Sequence, residues 1–465
     1  MKSSAKTLAS RLIIVLIFSF ILFSACRKEI NPPSEEIRSK QTNTYSSEVA
    51  IKWLELQWRI FSQSGRPASE NPSRHLAYTG IVLYESVLQG MTLYQTLSGQ
   101  LTDMPAMPTL QPEVEYHWPS CANAAQAYIN KNLLPTTTTE NKNSIDSLAK
   151  ALSTTYKLQV DSVTFQRSVD YGEAIAKLIF EWSKTDRFLE LLSVPYVIPV
   201  GPGLWKTTVL PSGPAAPSGP YWGDGRLLMP RILTATYPAP PLPYSTDAAS
   251  PFYNAMKDVH DASLVLTPEQ RNQANYWRNA PLPQWLGILT QVLKDEGENV
   301  KLDKAALVMA KMGIASNDVR IICWKAKYDY KRLRPFTYVR KVMGYSSWNS
   351  LTPTAPQPEY PSGHASWFSS ASSVMTQMFG DNYKFIDHTK EPIFSPLGFN
   401  SFNEAAVHGS FSRFYLGMNT RSSVQAGIDL GSKIVEYMNT NINFFKIIMG
   451  EIEHRGFLFN RSDSF

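Results

Sequence analysis

The chain has 465 residues, 43% of them hydrophobic, so it can bury one large core or two smaller ones. Its formal net charge is +6, and 42 basic against 39 acidic side chains remain once the three basic residues of the leader are set aside. This small excess, with no basic stripe interleaved with aromatic residues, argues against nucleic-acid binding. Any anion binding must come from local geometry.

The N-terminal 26 residues have the composition of an export signal. Three basic residues precede an apolar run over 12–23, which is too short to span a bilayer. The residues before Cys26 resemble a lipobox, although Phe23 stands where a small or aliphatic residue is commoner. We predict a signal over 1–25, lipidation of Cys26 and a polar tether over 26–47. The protein would then be lipid-anchored in the cell envelope, in the outer membrane on its periplasmic or surface face; an ordinary secretory signal or a membrane anchor is the alternative.

Two cysteines remain after the leader, Cys121 and Cys323. Two cysteines do not make a disulfide framework, and their separation is not a metal-ligand spacing. We expect both to be buried and unpaired.

Helical periodicity dominates the segment 48–193, which we predict to be an N-terminal helical bundle. Apolar residues recur at helical spacing in five stretches without internal proline. They begin near Val49, Asn71, Ser120, Glu140 and Asp161. Asp161 is the expected N-cap of the last of them.

Proline and glycine recur through residues 194–243 and exclude helix over most of this stretch. The stretch is too long for an ordinary loop, and it contains Trp205, Tyr221 and Trp222. We therefore predict an ordered connection over 194–265 that packs on the helices and could roof a site. Helical periodicity then resumes over 266–450, before a tail over 451–465. No convincing alternating strand pattern is present, so the predicted fold is mainly α, with two packed helical bundles.

The first of three polar segments contains Lys327 and Arg334. Their spacing of seven residues is two helical turns, so one helix would carry both cations on one face. Pro335 would end that helix. Alone, such a pair more often belongs to a solvated surface.

The second segment reads Tyr-Pro-Ser-Gly-His over 360–364 and precedes a helical pattern. Ser362 is a natural N-cap, and Gly363 allows the backbone to approach a ligand. The free N–H groups of a helix N-terminus attract anions, and His364 could exchange a proton near neutral pH. The alternative is a plain cap with a surface histidine.

The third segment places Arg413 among apolar residues, six positions before Asn419. A guanidinium is a planar fork suited to a tetrahedral oxyanion. A buried ion pair is the alternative for an arginine in this setting.

Together, Lys-x6-Arg-Pro, Pro-Ser-Gly-His and Ser-Arg-x5-Asn resemble the signature of the phosphatidic acid phosphatase type 2 and vanadium haloperoxidase superfamily, whose last residue is histidine. Segments 203–205, 221–223, 324–328 and 401–406 resemble the bacterial haloperoxidase-like branch, and the resemblance covers about 48–440. It implies a site in the C-terminal bundle, with His364 as acid or base. It also implies that phosphate or vanadate is bound by five residues, which we call the cradle: Lys327, Arg334, Ser362, Gly363 and Arg413.

The chain departs from this family pattern at two positions. The family's histidine, which is the phosphatase nucleophile or the covalent ligand of vanadium, is Asn419 here. The carboxylate that often follows four residues later is Ser423. Since an amide nitrogen has no available lone pair, Asn419 is a degenerate nucleophile or ligand position, which argues against vanadate as a resident cofactor. His408 lies five residues before Arg413, about 140° out of phase on a helix, so we expect it to point elsewhere.

Three functions stay open. The chain could be an enzyme of altered chemistry, in which water attacks a bound phosphoester with His364 as base. It could bind phosphate or a phosphorylated headgroup without turnover, or be a structural lipoprotein with a vestigial cradle. The intact cations argue against the last, because buried like charges without a ligand are destabilising. His364 favours the first over the second, and the motifs do not separate phosphatase from haloperoxidase.

Overall fold

The computed structural model describes residues 39–63, 67–207, 209–210 and 213–446. The predicted signal, Cys26 and the predicted tail lie outside these residues. The chain divides into two compact units, Met1–Ser39 with Gln111–Glu115 and Lys40–Leu110 with Tyr116–Phe465. The described part of the first unit is Ser39 and an irregular segment over 111–115, in which Glu113 has a φ of 57°. The helices and strands described below belong to the second unit.

Five long helices occupy the N-terminal part of the second unit and confirm the five predicted there. They are α1 Glu48–Ser62, α2 Pro72–Val87, α3 Trp118–Leu133, α4 Thr139–Tyr156 and α5 Ser162–Ser183. Asp161 caps α5 as predicted, since its carboxylate accepts from the amides of Val163 and Thr164 at 2.9 and 3.0 Å.

Short elements occupy the middle of the chain. They are α6 Phe188–Leu191, α7 Ile232–Thr236, α8 Pro251–Leu264 and α9 Pro268–Tyr276, with an antiparallel pair of two-residue strands, β1 Val209–Leu210 and β2 Gly213–Pro214. Helix α8 lies within the predicted connection over 194–265. It begins like any helix, with Pro251 in its first turn and Ser250 as a cap that accepts from the amide of Tyr253 at 3.2 Å.

The connection is pinned to the segment that carries the first motif. The amide of Trp205 donates to the carbonyl of Lys331 at 2.7 Å, and the amide of Leu333 donates to the carbonyl of Gly203 at 3.0 Å. The carbonyl of Ser218 accepts from a tryptophan and a tyrosine side chain of the same segment. These described residues of the connection are therefore bonded to the segment that carries the first motif.

Between residues 281 and 446, the described chain contains six helices and a second strand pair. They are α10 Pro281–Glu296, α11 Leu302–Tyr330, α12 Pro335–Lys341, α13 Gly363–Phe379, α14 Phe402–Tyr415, α15 Arg421–Asn441, β3 Phe385–Asp387 and β4 Leu397–Phe399. Strands β3 and β4 pair antiparallel. Helix α11 is buried along most of its length, including the charged side chains of Lys311 and Lys327, and packs on α2, α13 and α15.

Single-turn 3-10 helices complete the secondary structure. They are Thr42–Thr44, Leu88–Gly90, Lys184–Asp186, Trp222–Asp224 and Gly297–Asn299. Cys121 and Cys323 are buried and unpaired, as predicted. Within the described ranges, no helix combines the length and apolar character needed to cross a membrane. The mainly α fold is confirmed, and the two strand pairs are too short to show an alternating pattern in the sequence.

Candidate functional site

The first motif does not lie on one helix. Helix α11 ends at Tyr330, Lys331 adopts a left-handed conformation with a φ of 48°, and Arg334 is extended. Pro335 begins α12 rather than ending α11. The prediction of one continuous helix is therefore wrong, because helical conformation is disfavoured before proline and proline is favoured in a first helical turn.

Lys327 is held by main-chain oxygens of the second motif and of the two residues before it. Its ammonium donates to the carbonyls of Pro358, Glu359 and Pro361 at 2.9, 3.2 and 2.5 Å, and the residue is 1% exposed. An ammonium has three protons, so all of its donors are engaged. Lys327 could bind an anion only by releasing a carbonyl.

Arg334 contacts the same turn from the segment between α11 and α12. Its guanidinium donates to the carbonyls of Gln357, Met418 and Pro358 at 2.8, 3.0 and 3.3 Å. The oxygen of Pro358 thus accepts from both Lys327 and Arg334, so the two side chains converge as predicted. Three of the five N–H groups of Arg334 are used, and two remain for a ligand.

The second motif forms the expected helix start. Ser362 is the N-cap of α13 and accepts from the amide of Ala365 at 3.5 Å. A Cβ on Gly427 of α15 would lie 2.5 Å from the carbonyl oxygen of Ser362, so this glycine lets the two helices cross closely. A Cβ on Gly363 would lie 3.1 Å from the ring of Trp324. Both glycines therefore hold the N-terminus of α13 against its neighbours.

His364 is half-buried, and its Nε2 lies 3.0 Å from the carbonyl oxygen of Asn279. A carbonyl only accepts, so Nε2 carries the proton and Nδ1 keeps its lone pair. Burial, together with Arg413 and the other two cations of the cradle, lowers the pKa of His364 well below its ordinary value. The histidine is accordingly neutral in the unliganded protein and able to accept a proton.

Arg413 is the least constrained cation of the cradle. Among the described residues its guanidinium makes one hydrogen bond, a long one of 3.4 Å to the carbonyl oxygen of Arg278, and the residue is buried. Burial and the neighbouring Arg334 lower its pKa. The segment 278–279, between α9 and α10, thus lies beside both Arg413 and His364. The sequence analysis missed it, since carbonyl contacts leave no trace in residue type.

Burial disfavours the charged forms of the three cations, and repulsion between neighbouring cations adds to this for Lys327 and Arg413. Burial lowers the pKa of Lys327 to about 7, and it also lowers the pKa of Arg334. Each of the three cations also lowers the pKa of His364. An anion placed among them would oppose these shifts, because a negative charge favours the charged forms of all four groups.

Asn419 lies beside a carboxylate that the sequence analysis did not assign. Its Nδ2 donates to the main-chain oxygen of Glu359 at 2.7 Å and to Oε1 of that carboxylate at 3.3 Å. Glu359 is fully buried and also accepts from the amide of Thr420 at 2.9 Å and from the hydroxyl of Ser423 at 2.6 Å. The carboxylate absent at position 423 is therefore supplied from the second motif. A charged residue directly before Tyr-Pro-Ser-Gly-His was the available signal.

A buried cation balances this carboxylate. Nε of Arg332 lies 3.3 Å from Oε2 of Glu359, and Arg332 is 4% exposed. Within the described residues, the guanidinium nitrogens of Arg332 make no hydrogen bond of good geometry, so the contact is mainly electrostatic. Arg332 also stacks over the ring of Phe252, 5.0 Å from its centroid.

His408 points away from the cradle, as predicted from its phase. It lies on α14 with Arg413, but its Nδ1 accepts from the indole N–H of Trp277 at 2.8 Å. Its ring also contacts Phe399. Since Nδ1 is occupied by this donor, His408 is not arranged to replace the missing histidine.

The structure thus defines a class: a mainly α protein that gathers three buried cations around one helix N-terminus. Residues 307–445, which include the whole cradle, match the family model described as VCPO second helical-bundle domain. No curated protein matches the chain.

Solved structures extend the likeness beyond that domain. The chain is similar to the first bacterial vanadium-dependent iodoperoxidase to be solved, with 26% identity and a TM-score of 0.77 over 87% of this chain and 98% of the other. It is also similar to bacterial vanadium-dependent chloroperoxidase. The apo form gives 16% identity and a TM-score of 0.62 over 84% and 98% of the two chains, and the holo form 16% and 0.58 over 90% and 96%. At 16% identity these two show the fold alone. The family match over 307–445 and the likeness to the iodoperoxidase support the resemblance to the haloperoxidase-like superfamily that the motifs predicted.

Proposed function

We propose that this protein binds a tetrahedral oxyanion, phosphate or vanadate, in the cradle without a covalent bond, and that Asn419 has altered its phosphatase- or haloperoxidase-type chemistry. The main support for this proposal is the burial of Lys327, Arg334 and Arg413 around the N-terminus of α13. Helix N-terminal N–H groups and guanidinium forks are the groups that bind such anions. A multiply charged anion would compensate cations that the fold leaves with depressed pKa values.

The residues present do not fit vanadate as a covalently held cofactor. The amide nitrogen of Asn419 has no lone pair to give, and its protons face Glu359. The similar iodoperoxidase and chloroperoxidase are vanadium-dependent by their own descriptions. For this chain we propose only an oxyanion held by hydrogen bonds and charge, which phosphate and vanadate satisfy alike.

Thermal unfolding with and without phosphate or vanadate tests oxyanion binding. Both anions should raise the melting temperature of the natural protein, because a ligand that binds only the folded state stabilises it. Arg413→Ala should abolish the shift. Arg340→Ala is the matched control, since Arg340 lies on α12 and donates to Trp348 and Asn349 instead. An unchanged shift in Arg413→Ala removes Arg413 from the site, and no shift in the natural protein refutes the proposal.

A second candidate is hydrolysis without a covalent intermediate, and the neutral His364 with a free Nδ1 favours it. Water would add to phosphorus as the ester P–O bond breaks, and His364 would take the proton from the water. Hydrolysis of an aryl phosphate that His364→Ala removes would establish such a phosphatase. No activity in the natural protein, with a gain in Asn419→His, would instead favour binding without turnover.

We also propose that Cys26 is lipidated and anchors the protein in the cell envelope, so that the membrane is a partner through the lipid. The leader sequence supports this. Incorporation of a labelled fatty acid in the producing cells should disappear in Cys26→Ser. Equal labelling of both proteins would contradict the proposal.

A further inference from the structure

A second concave site lies near the start of α11, far from the cradle. It is an open pocket of about 590 Å³. Lys311 lines it and precedes Lys327 by sixteen residues on the same helix, which corresponds to about 24 Å along the axis. The pocket has the size of ordinary small-molecule sites, and none of its lining residues belongs to the cradle.

Lys311 is a buried cation without a carboxylate partner. The residue is 4% exposed, and its ammonium donates to Oε1 of Gln377 at 2.8 Å and to Oδ1 of Asn439 at 3.3 Å. Across the part of the chain that the structure describes, no acidic side chain forms an ion pair with it, and burial alone lowers its pKa to about 8. An uncompensated buried charge is destabilising. The two amide oxygens take two of its three protons, and the ammonium also lies over the ring of Phe444, 4.9 Å from the centroid.

Gln377 and Lys311 together form a two-point site for an anion. Because Oε1 of Gln377 accepts from Lys311, its Nε2 is left as a donor, and Gln377 also lines the pocket. Leu307, Tyr94 and Phe445 contribute apolar lining, and the rings of Tyr94 and Phe445 lie 4.8 Å apart. Lys301 and Lys304 add two further cations and Asp303 adds one carboxylate, so cations outnumber acids in the lining.

We propose that this pocket binds a small organic monocarboxylate whose apolar portion lies against Tyr94, Leu307 and Phe445. Its carboxylate bridges the ammonium of Lys311 and the side-chain amide of Gln377. One buried ammonium without a carboxylate partner and one amide donor match a carboxylate better than a phosphate dianion, which needs more donors. The site is independent of the cradle and of the function proposed for it.

Titration calorimetry on the full chain tests this site, with phenylacetate as probe and phenylacetamide as its uncharged match. The natural protein should bind phenylacetate and not the amide. Lys311→Met and Gln377→Glu should each weaken binding about tenfold to about a hundredfold, the range expected for one hydrogen bond to a charged group. Gln377→Glu keeps the shape of the side chain and gives Lys311 an internal counter-ion, so its melting temperature should not fall.

Arg413→Ala serves as the control for the cradle and should leave phenylacetate binding unchanged. Lys311→Met should likewise leave the phosphate response of the cradle intact. The proposal is overturned if the natural protein does not bind phenylacetate, or if both pocket variants bind it as tightly as the natural protein. Loss of binding in Arg413→Ala would also overturn it, because the carboxylate would then occupy the cradle.

Discussion

The ion pair between Arg332 and Glu359 gives the sharpest test of how the third motif is held. Glu359 is fully buried, and its carboxylate accepts from Thr420 and Ser423 as well as contacting Arg332. Glu359→Gln keeps the shape of the side chain and removes its charge. The substitution leaves the guanidinium of Arg332 buried without compensation.

Removing one partner of a buried pair costs about 3–5 kcal/mol, and the surroundings of Arg332 suggest that this range applies. Its nitrogens make no hydrogen bond of good geometry within the described residues, so the rings of Phe252 and Tyr360 would be left as its partners there. Arg332→Met should cost a similar amount, because it removes the ion-pair partner of the buried Glu359 carboxylate. The double variant should lose less than the sum of the single losses by about 2–3 kcal/mol, since neither charge then remains.

Equilibrium unfolding in denaturant measures these free energies. The surface pair Arg421–Asp258, whose side chains are about half exposed, is the control, and Asp258→Asn should cost no more than about 1 kcal/mol. A loss below about 1 kcal/mol in Glu359→Gln would refute the reasoning. Additive losses in the double variant would show that the two charges do not interact.

Three further predictions concern the chemistry of the site. In Asn419→His, the imidazole Nδ1 takes the place of the amide Nδ2 beside Glu359, so Nε2 would face the anion; aryl phosphate hydrolysis should appear, and adding Glu359→Gln should reduce it at least about tenfold. Nuclear magnetic resonance should find the pKa of His364 below 6.5 without ligand and raised by phosphate, and a pKa unmoved by saturating phosphate would place the anion elsewhere. Because the folded protein binds fewer protons than the unfolded chain below about pH 6.5, His364 should make stability fall as the pH drops through that region. His364→Gln should therefore show a flatter stability profile there, and an equally steep one would contradict the assignment.

The sequence was sufficient where local rules decide the outcome. Periodicity located the long helices, and the cap rules located Asp161 and Ser362 correctly. It was insufficient at the end of α11, where the spacing of Lys327 and Arg334 fits one helix but the residue before a proline avoids helical conformation. The pairing of Arg332 with Glu359 joins segments 27 residues apart, and nothing in the residue types alone indicates such a contact.

Main-chain carbonyls change how the intact cations of the cradle should be interpreted. Buried like charges would be strongly destabilising if they were bare, which favours a protein that keeps a ligand. Lys327 and Arg334, however, donate together to six carbonyl contacts, and these contacts would hold both cations without any anion. Their presence is therefore compatible with a vestigial cradle. In the part of the chain that the structure describes, the Arg413 guanidinium makes a single long hydrogen bond, so its burial is the feature that an anion best explains. The response of Arg413→Ala to phosphate consequently decides between a working cradle and a remnant, whereas substitutions of Lys327 or Arg334 would mix the loss of a ligand contact with damage to the turn that they hold.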